Sequence, residues 1–353
     1  MKPYFSLARD AVRLRICPPR GLSDRRMWIK GTAGLCNRLW FLLYAAAYAE
    51  RYRWRLSVDW RDGMYGPRDV NAFERLFQFD LSVPLPSSDE VSGFANDATI
   101  YPDYWRHRTD LSAISASCEL RDRFGRPVDL SKLMWPLRRA LIDAPPQTRV
   151  MIATGYAADA WDMRASGLSV NLRSIATRLK PSPRCADAID TAIAPGLRCI
   201  GVHVRRTDAP NQVPLEHYLS AIPGDERRVF LCTDDADVER QFRSVLGSRL
   251  LPVERTYLAK GQALHYHAEP QSRELMAIEA IRDLYALARC ETIVHGLNSS
   301  FSKFATRVLA NPGVTVRVAD RRFGKLRRSF GRRVETFRNL VQPNQRRATR
   351  PAV

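Results

Sequence analysis

Four short stretches carry side chains able to handle a phosphorylated ligand. They are GTAGLCNRL from Gly31, HVRRTD from His203, CTDD from Cys232 and HGLNSSFS from His295. Each follows an apolar, strand-like run, and in an open α/β sheet ligands bind at the carboxyl ends of strands. Arg205 and Arg206 can each offer a planar fork of donors to phosphate oxygens, with charge-assisted bonds of about 1.5–3 kcal/mol. The hydroxyls of Ser299, Ser300 and Ser302 precede a helical pattern and can cap it while leaving N–H groups for an anion. Asp234, Asp235 and Asp283 suit the N–H edge of a base or ribose hydroxyls. Gly34, Asn37 and Arg38 open a further helix after a glycine turn. This is the inventory a nucleoside diphosphate requires.

Simpler roles compete with that reading. Asp235 can serve only as the N-cap of ADVERQF, and the serines only as caps. Arg205 can pair with Asp208 or Asp234 to stiffen the strand end, and His203 can be a core histidine. The GTAG turn lacks the full dinucleotide fingerprint. The HYH of His265 to His267 has no third ligand at metal-binding spacing, so no metal site is expected.

The elements that must position these groups follow from periodicity. Leu35, Leu39, Leu42, Leu43, Ala46 and Ala49 recur at helical spacing between MWIK and the alternating RLSVDW, which predicts a β-α-β unit. AFERLFQF and LSKLMWPLRRALI predict short helices in a region otherwise rich in loops. From Arg149 strands and helices alternate again: RVMIATG, a pair of helices broken at Pro181 and Pro183, strand 199–204, helix 214–221, RVFLCT, DADVERQFRSVLG, SRELMAIEAIRDLYALARC, TIVHG and SKFATRVLA. Such alternation predicts parallel α/β sheets covered on both faces. The proline pair marks the expected hinge, giving an N-terminal α/β domain over 1–180 and a second over 181–320. A basic tail follows over 321–353.

Composition sets further bounds. The 353 residues carry 56 Lys and Arg against 37 Asp and Glu, a net charge of +19. The run from Arg321 to Arg350 holds eleven basic residues and one acid, Glu335, a net +10. The body is therefore only moderately basic, which counts against a nucleic-acid binder and points the tail toward an anionic surface. The seven cysteines form an odd set without a CxxC pair. They read as buried free thiols in a reducing compartment. The first twenty residues lack a signal-peptide pattern, and the longest apolar run, Leu39 to Ala49, falls short of the roughly 20 residues that span a bilayer. A cytoplasmic protein, peripheral at most at the inner face of the membrane, is expected.

The order of motifs also resembles a known family. RLKPSPRCADAIDTAIAPGLRCIGVHVRRTD, PLEHYLSAI, RRVFLCTDDADVERQF and LMAIEAIRDLYALARCETIVHGLNSSFSKFATRVL resemble the C-terminal half of the α1,6-fucosyltransferases, and GLCNRLWFLLYAAAYAERYRWRLSVDWRDGMY is similar to the N-terminal motif of their NodZ-like members. The resemblance implies a GT-B fold, two facing Rossmann-like domains with the active site in the cleft between them. It implies GDP-fucose as donor, no cofactor and no metal, and inverting transfer to a hydroxyl of an oligosaccharide or cell-surface glycan. Carried over, His203, Arg205, Arg206 and Asp208 occupy the signature motif whose arginines hold the phosphates. Asp234 and Asp235 match the paired aspartates of the donor site, Asp283 an aspartate associated with guanine, and Ser299 and Ser300 a serine pair near the phosphates. After HVRRTD, however, the family continues with a lysine and then a glutamate proposed as base. Here Ala209 replaces the lysine and no acid follows until Glu216. The base is open between Asp208, Glu216, Asp59 and Asp62. A contrasting reading is a basic nucleic-acid or membrane-surface binding protein that keeps the fold without the activity.

Overall fold

The computed structural model describes residues 25–31, 34–67, 69–85, 100–101, 148–153, 171–206, 213–259, 269–297 and 299–319. The N-terminal half begins with β1 (Arg26–Lys30), α1 (Leu35–Tyr52) and β2 (Arg55–Asp59), followed by α2 (Ala72–Leu76), β3 (Phe77–Phe79), β4 (Ile100–Tyr101) and β5 (Val150–Ala153). The leucines and alanines of α1 are buried along its length. Arg53 ends the helix in the left-handed region at φ 58°, its N–H donating to Ala49 and Glu50 carbonyls. AFERLFQF is not one helix. Its last residues form β3, because Phe77 and Phe79 face inward on either side of exposed Gln78, a period of two.

The chain then runs through α3 (Leu172–Ala176), β6 (Leu179–Pro181) and α4 (Pro183–Ala192). Instead of a loose hinge, β6 pairs antiparallel with β3, and Ser182 N–H donates to Leu76 O at 2.9 Å. Pro183 takes the first turn of α4, where its missing N–H costs nothing. The C-terminal half continues with β7 (Cys199–Val204), α5 (Leu215–Ala221), β8 (Arg228–Thr233), α6 (Ala236–Leu246) and α7 (Arg273–Arg289). It ends with β9 (Thr292–His295), α8 (Ser300–Phe304), a π-helical turn at Ala305–Leu309 and β10 (Thr315–Val318).

Two four-stranded parallel sheets result, ordered β2-β1-β5-β4 and β10-β9-β7-β8. Their central strands are buried from end to end, as parallel strands covered on both faces must be. Helix α7 packs so close to β7 that a Cβ on Gly201 would stand 2.6 Å from Leu287 Cδ1 and 2.9 Å from Cys290 Sγ. The apolar core is continuous between the halves, running from Met27 and Leu39 to Leu284 and Phe304. Trp40 of α1 meets Phe304 edge to face at 5.3 Å. Arg173 of α3 donates to the carbonyls of Thr306 and Ala310 around the π-turn. The cysteines Cys36, Cys185, Cys199, Cys232 and Cys290 are free and buried, as expected; Cys17 and Cys118 lie outside the described residues. No helix among the described residues is long and apolar enough to cross a membrane.

Candidate functional site

Strands β7, β8 and β9 of the C-terminal sheet deliver most of the expected residues to their carboxyl ends. In register, His203 lies beside Cys232 of β8 and His295 of β9, and Val204 lies beside Thr233. The chain leaves β7 through Arg205 and Arg206, both half-buried. The backbone N–H of Arg206 donates to Asp234 Oδ1 at 2.8 Å. That bond fixes the backbone from which the Arg206 side chain springs. Its neighbour Asp235 has a different task, accepting the N–H groups of Asp237 at 2.7 Å and Val238 at 3.2 Å as the N-cap of α6. Asp235 thus performs the capping role weighed for it in the sequence, through its Oδ1.

His203 is buried and stacked on Phe301 of α8, with ring centroids 4.8 Å apart and planes 18° from parallel. Burial, helped by His295 and Arg205, pushes its pKa down to about 3. The ring is neutral at neutral pH. His295 is likewise buried and lowered, chiefly by desolvation. Its Nδ1 faces Gly296 O at 2.8 Å, and since a carbonyl only accepts, Nδ1 carries the proton. Ser299 caps α8, its Oγ accepting Phe301 N–H at 3.2 Å, and Ser300 beside it is half-buried.

Arg205 links the halves electrostatically. Burial pushes the thiol of Cys36, in the first turn of α1, up, and the Arg205 charge pulls against it. There Gly34 O accepts the N–H groups of Asn37 at 3.0 Å and Arg38 at 3.2 Å. Asn37 is half-buried at this turn. The Arg38 side chain does not join it. It is buried against Asp62, with Nη2 2.9 Å from Met64 Sδ, and its guanidinium lies over Trp60 and Tyr65. Gly31 makes room, since a Cβ there would sit 2.1 Å from Arg38 Nη1. Arg38 thus builds the wall of the N-terminal half, and a direct donor contact, as the sequence suggested, would compete with Asp62.

Beyond Asp234 a solvent-open pocket lies between the end of β8, the segment 255–258 and α7. Asp283 sits in its lining, Oδ1 accepting Arg282 Nε at 2.9 Å and Oδ2 accepting Arg255 Nε at 3.1 Å. Arg255 also donates to the carbonyls of Leu231 and Val253, tying β8 and the following segment to α7. Glu279 accepts both the N–H and the hydroxyl of Thr256 at 3.0 Å. Sequence reasoning passed over Arg255, Thr256, Glu279 and Arg282. The signal was an arginine and an acid on the apolar-periodic α7, and a lone arginine after LLPV.

The base candidates separate. Asp59 is buried, with Lys30 Nζ at 2.6 Å and Arg61 Nε at 3.0 Å. Burial raises its pKa, but Lys30 and Arg61 together outweigh that and hold it below the usual carboxylate range. A carboxylate so held resists protonation near neutrality, which counts against Asp59. Asp62 is engaged by Arg38. Glu216 is exposed in the first turn of α5. Asp208 and the HYH stretch lie outside the described residues.

Two four-stranded parallel α/β sheets sharing a core define a GT-B glycosyltransferase fold. Solved structures agree. A fucosyltransferase NodZ from Bradyrhizobium superposes with a TM-score of 0.56 at 22% identity, covering 81% of this chain and 94% of that one. A NodZ alpha-1,6-fucosyltransferase co-crystallized with GDP gives 0.54 at 21% identity, with 81% and 93% covered. One soaked with GDP-fucose gives 0.54 at 22%, also with 81% and 93% covered. The chain belongs to the Nodulation protein Z (NodZ) family, whose pattern matches residues 23–322. The Nodulation protein Z of Sinorhizobium fredii is 25% identical over 309 residues, covering 80% of this chain and 90% of that protein.

Proposed function

We propose that this NodZ-family chain is a fucosyltransferase that moves fucose from GDP-fucose to a hydroxyl of an oligosaccharide or cell-surface glycan, with inversion and without a metal. The observation that carries the reading is the Arg206 backbone pinned by Asp234 at the mouth of the Asp283 pocket. The base enters the pocket, and the pyrophosphate lies toward Arg205, Arg206 and the Ser299–Ser300 start of α8. The acceptor oxygen bonds to C1 of fucose as the C1–O bond to GDP breaks. Negative charge grows on the departing diphosphate, where guanidinium forks fixed in advance are most effective. The acceptor proton passes to a carboxylate, with Asp208 and Glu216 as the two assignments. GDP and GDP-fucose are the ligands named for the related NodZ structures, which supports the same donor here.

Calorimetric titration with GDP, followed by a donor screen across GDP-fucose, GDP-mannose and UDP-sugars, tests the reading. Absence of GDP binding at near-millimolar concentration would sink it, and turnover of a UDP-sugar alone would replace it. Turnover after exhaustive chelation tests the metal-free part.

The basic tail supports an additional role. The family match ends at residue 322, where the run of eleven basic residues has barely begun. The tail holds the enzyme at an anionic membrane face, so vesicles containing phosphatidylserine co-sediment the full chain but not a variant ending at residue 320. Equal sedimentation of both overturns that role, and binding of nucleic acid by the tail with no sugar transfer favours the non-enzymatic alternative.

A further inference from the structure

Arg282 is the cation of the pocket whose hydrogen bonding is incomplete. The residue is 9% exposed. Its Nε donates to Asp283 Oδ1 at 2.9 Å and its Nη1 to Glu254 O at 2.8 Å. Nη2 is closed to solvent and has no acceptor. The other pocket arginine differs, since Nε, Nη1 and Nη2 of Arg255 donate to Asp283, Val253 O and Leu231 O. A buried N–H without a partner leaves its desolvation uncompensated, and the penalty is larger when the group is charged. Arg282 borders the pocket beside Asp283, so a ligand that brings an acceptor there relieves that cost.

The chemistry of that acceptor follows from the neighbour. Asp283 supplies a carboxylate bound to Nε of the same guanidinium, and a carboxylate retains lone pairs after one bond to each oxygen. A donor next to an acceptor complements a purine carrying a carbonyl at C6 and an N–H at N1. A 6-aminopurine presents the reverse pattern, placing an N–H against the guanidinium and a bare nitrogen against the carboxylate. We propose that Arg282 is a specificity-determining residue that reads the C6 carbonyl of the donor's base and rejects 6-aminopurines. This rests on the proposal that the pocket takes the base of a nucleotide sugar.

The ratio of affinities separates this role from a merely structural one. Titration of the full chain compares GDP with the diphosphate of 2,6-diaminopurine riboside, which differs from GDP in carrying an amino group at C6 and no proton at N1. IDP keeps the carbonyl and lacks the 2-amino group. The wild-type chain is expected to bind GDP and IDP and to bind the diaminopurine diphosphate about 10-fold to 100-fold more weakly, the factor that one charge-assisted hydrogen bond carries. In Arg282→Met that preference falls toward one, whatever happens to the absolute affinities. Equal wild-type binding of GDP and the diaminopurine compound overturns the inference without needing a variant that folds, and so does an unchanged ratio in Arg282→Met. A wild-type chain that binds none of the three overturns the donor reading beneath it.

Discussion

Asp234 Oδ1 accepts the backbone N–H of Arg206 at 2.8 Å, so this arginine is positioned through its main chain by the residue that follows the neighbouring strand β8. Two substitutions separate position from charge. If Arg206 donates to the departing diphosphate as proposed, Arg206→Ala loses at least about a hundredfold in turnover. Asp234→Ala leaves the guanidinium present but unpinned, and kcat/KM falls by about 10-fold to 100-fold. Turnover of Arg206→Ala equal to wild type would end the assignment of Arg206.

Adjacent Asp235 should behave differently. Its carboxylate is committed to the first N–H groups of α6, so Asp235→Ala loses about 0.5–2 kcal/mol of stability. Donor KM should stay at the wild-type value. A large rise in KM without destabilisation would return Asp235 to the ligand site.

The two buried histidines set an acid limit on the fold. In the unfolded chain an imidazole takes a proton below about pH 6.5. Folded His203 refuses one until about pH 3, and His295 is lowered in the same direction. The unfolded state therefore binds more protons across this window. Stability is complete above about pH 6.5 and falls as pH drops, by ~1.4 kcal/mol per pH unit per histidine at most. The Asp59 contribution persists in this range and is lost only below its unfolded value of 3.8. Thermal melts at pH 7 and pH 5 should show the decline, with a smaller drop in His203→Gln. An identical drop in that variant would assign the acid sensitivity elsewhere.

Gly31→Ala tests the buried wall of the N-terminal half. The new methyl would run into Arg38 Nη1 and stand 2.8 Å from Trp60 Cδ1, so the buried Arg38 side chain must shift. A loss of about 1–3 kcal/mol is expected in denaturant unfolding. A neutral result would mean that the Arg38–Asp62 pair shifts without cost.

The strand ends that carry the candidate residues were legible in the sequence because they follow from local pattern. An apolar run that ends in HVRRTD or CTDD places those groups at a strand end whatever surrounds them. The α1 helix and the strands flanking it follow from spacing in the same way. Contacts made across long sequence separation left no such trace. Phe77–Phe79 becomes a strand because β6 arrives to pair with it about a hundred residues later. Arg38 turns into the wall because Trp60, Asp62 and Tyr65 gather around it. Arg255 reaches Asp283 from 28 positions away, a pairing that no periodicity announces.

The apolar core that passes from α1 into α8, with Trp40 on Phe304 and Arg173 on the π-turn, has a consequence for engineering. The C-terminal half is not a cassette. Cut at residue 181 and expressed alone, it would expose the face that Trp40 and α3 now cover. A chimera that borrows it for another acceptor half must bring that covering face along. In the intact chain, heat should dissolve both halves in a single calorimetric transition.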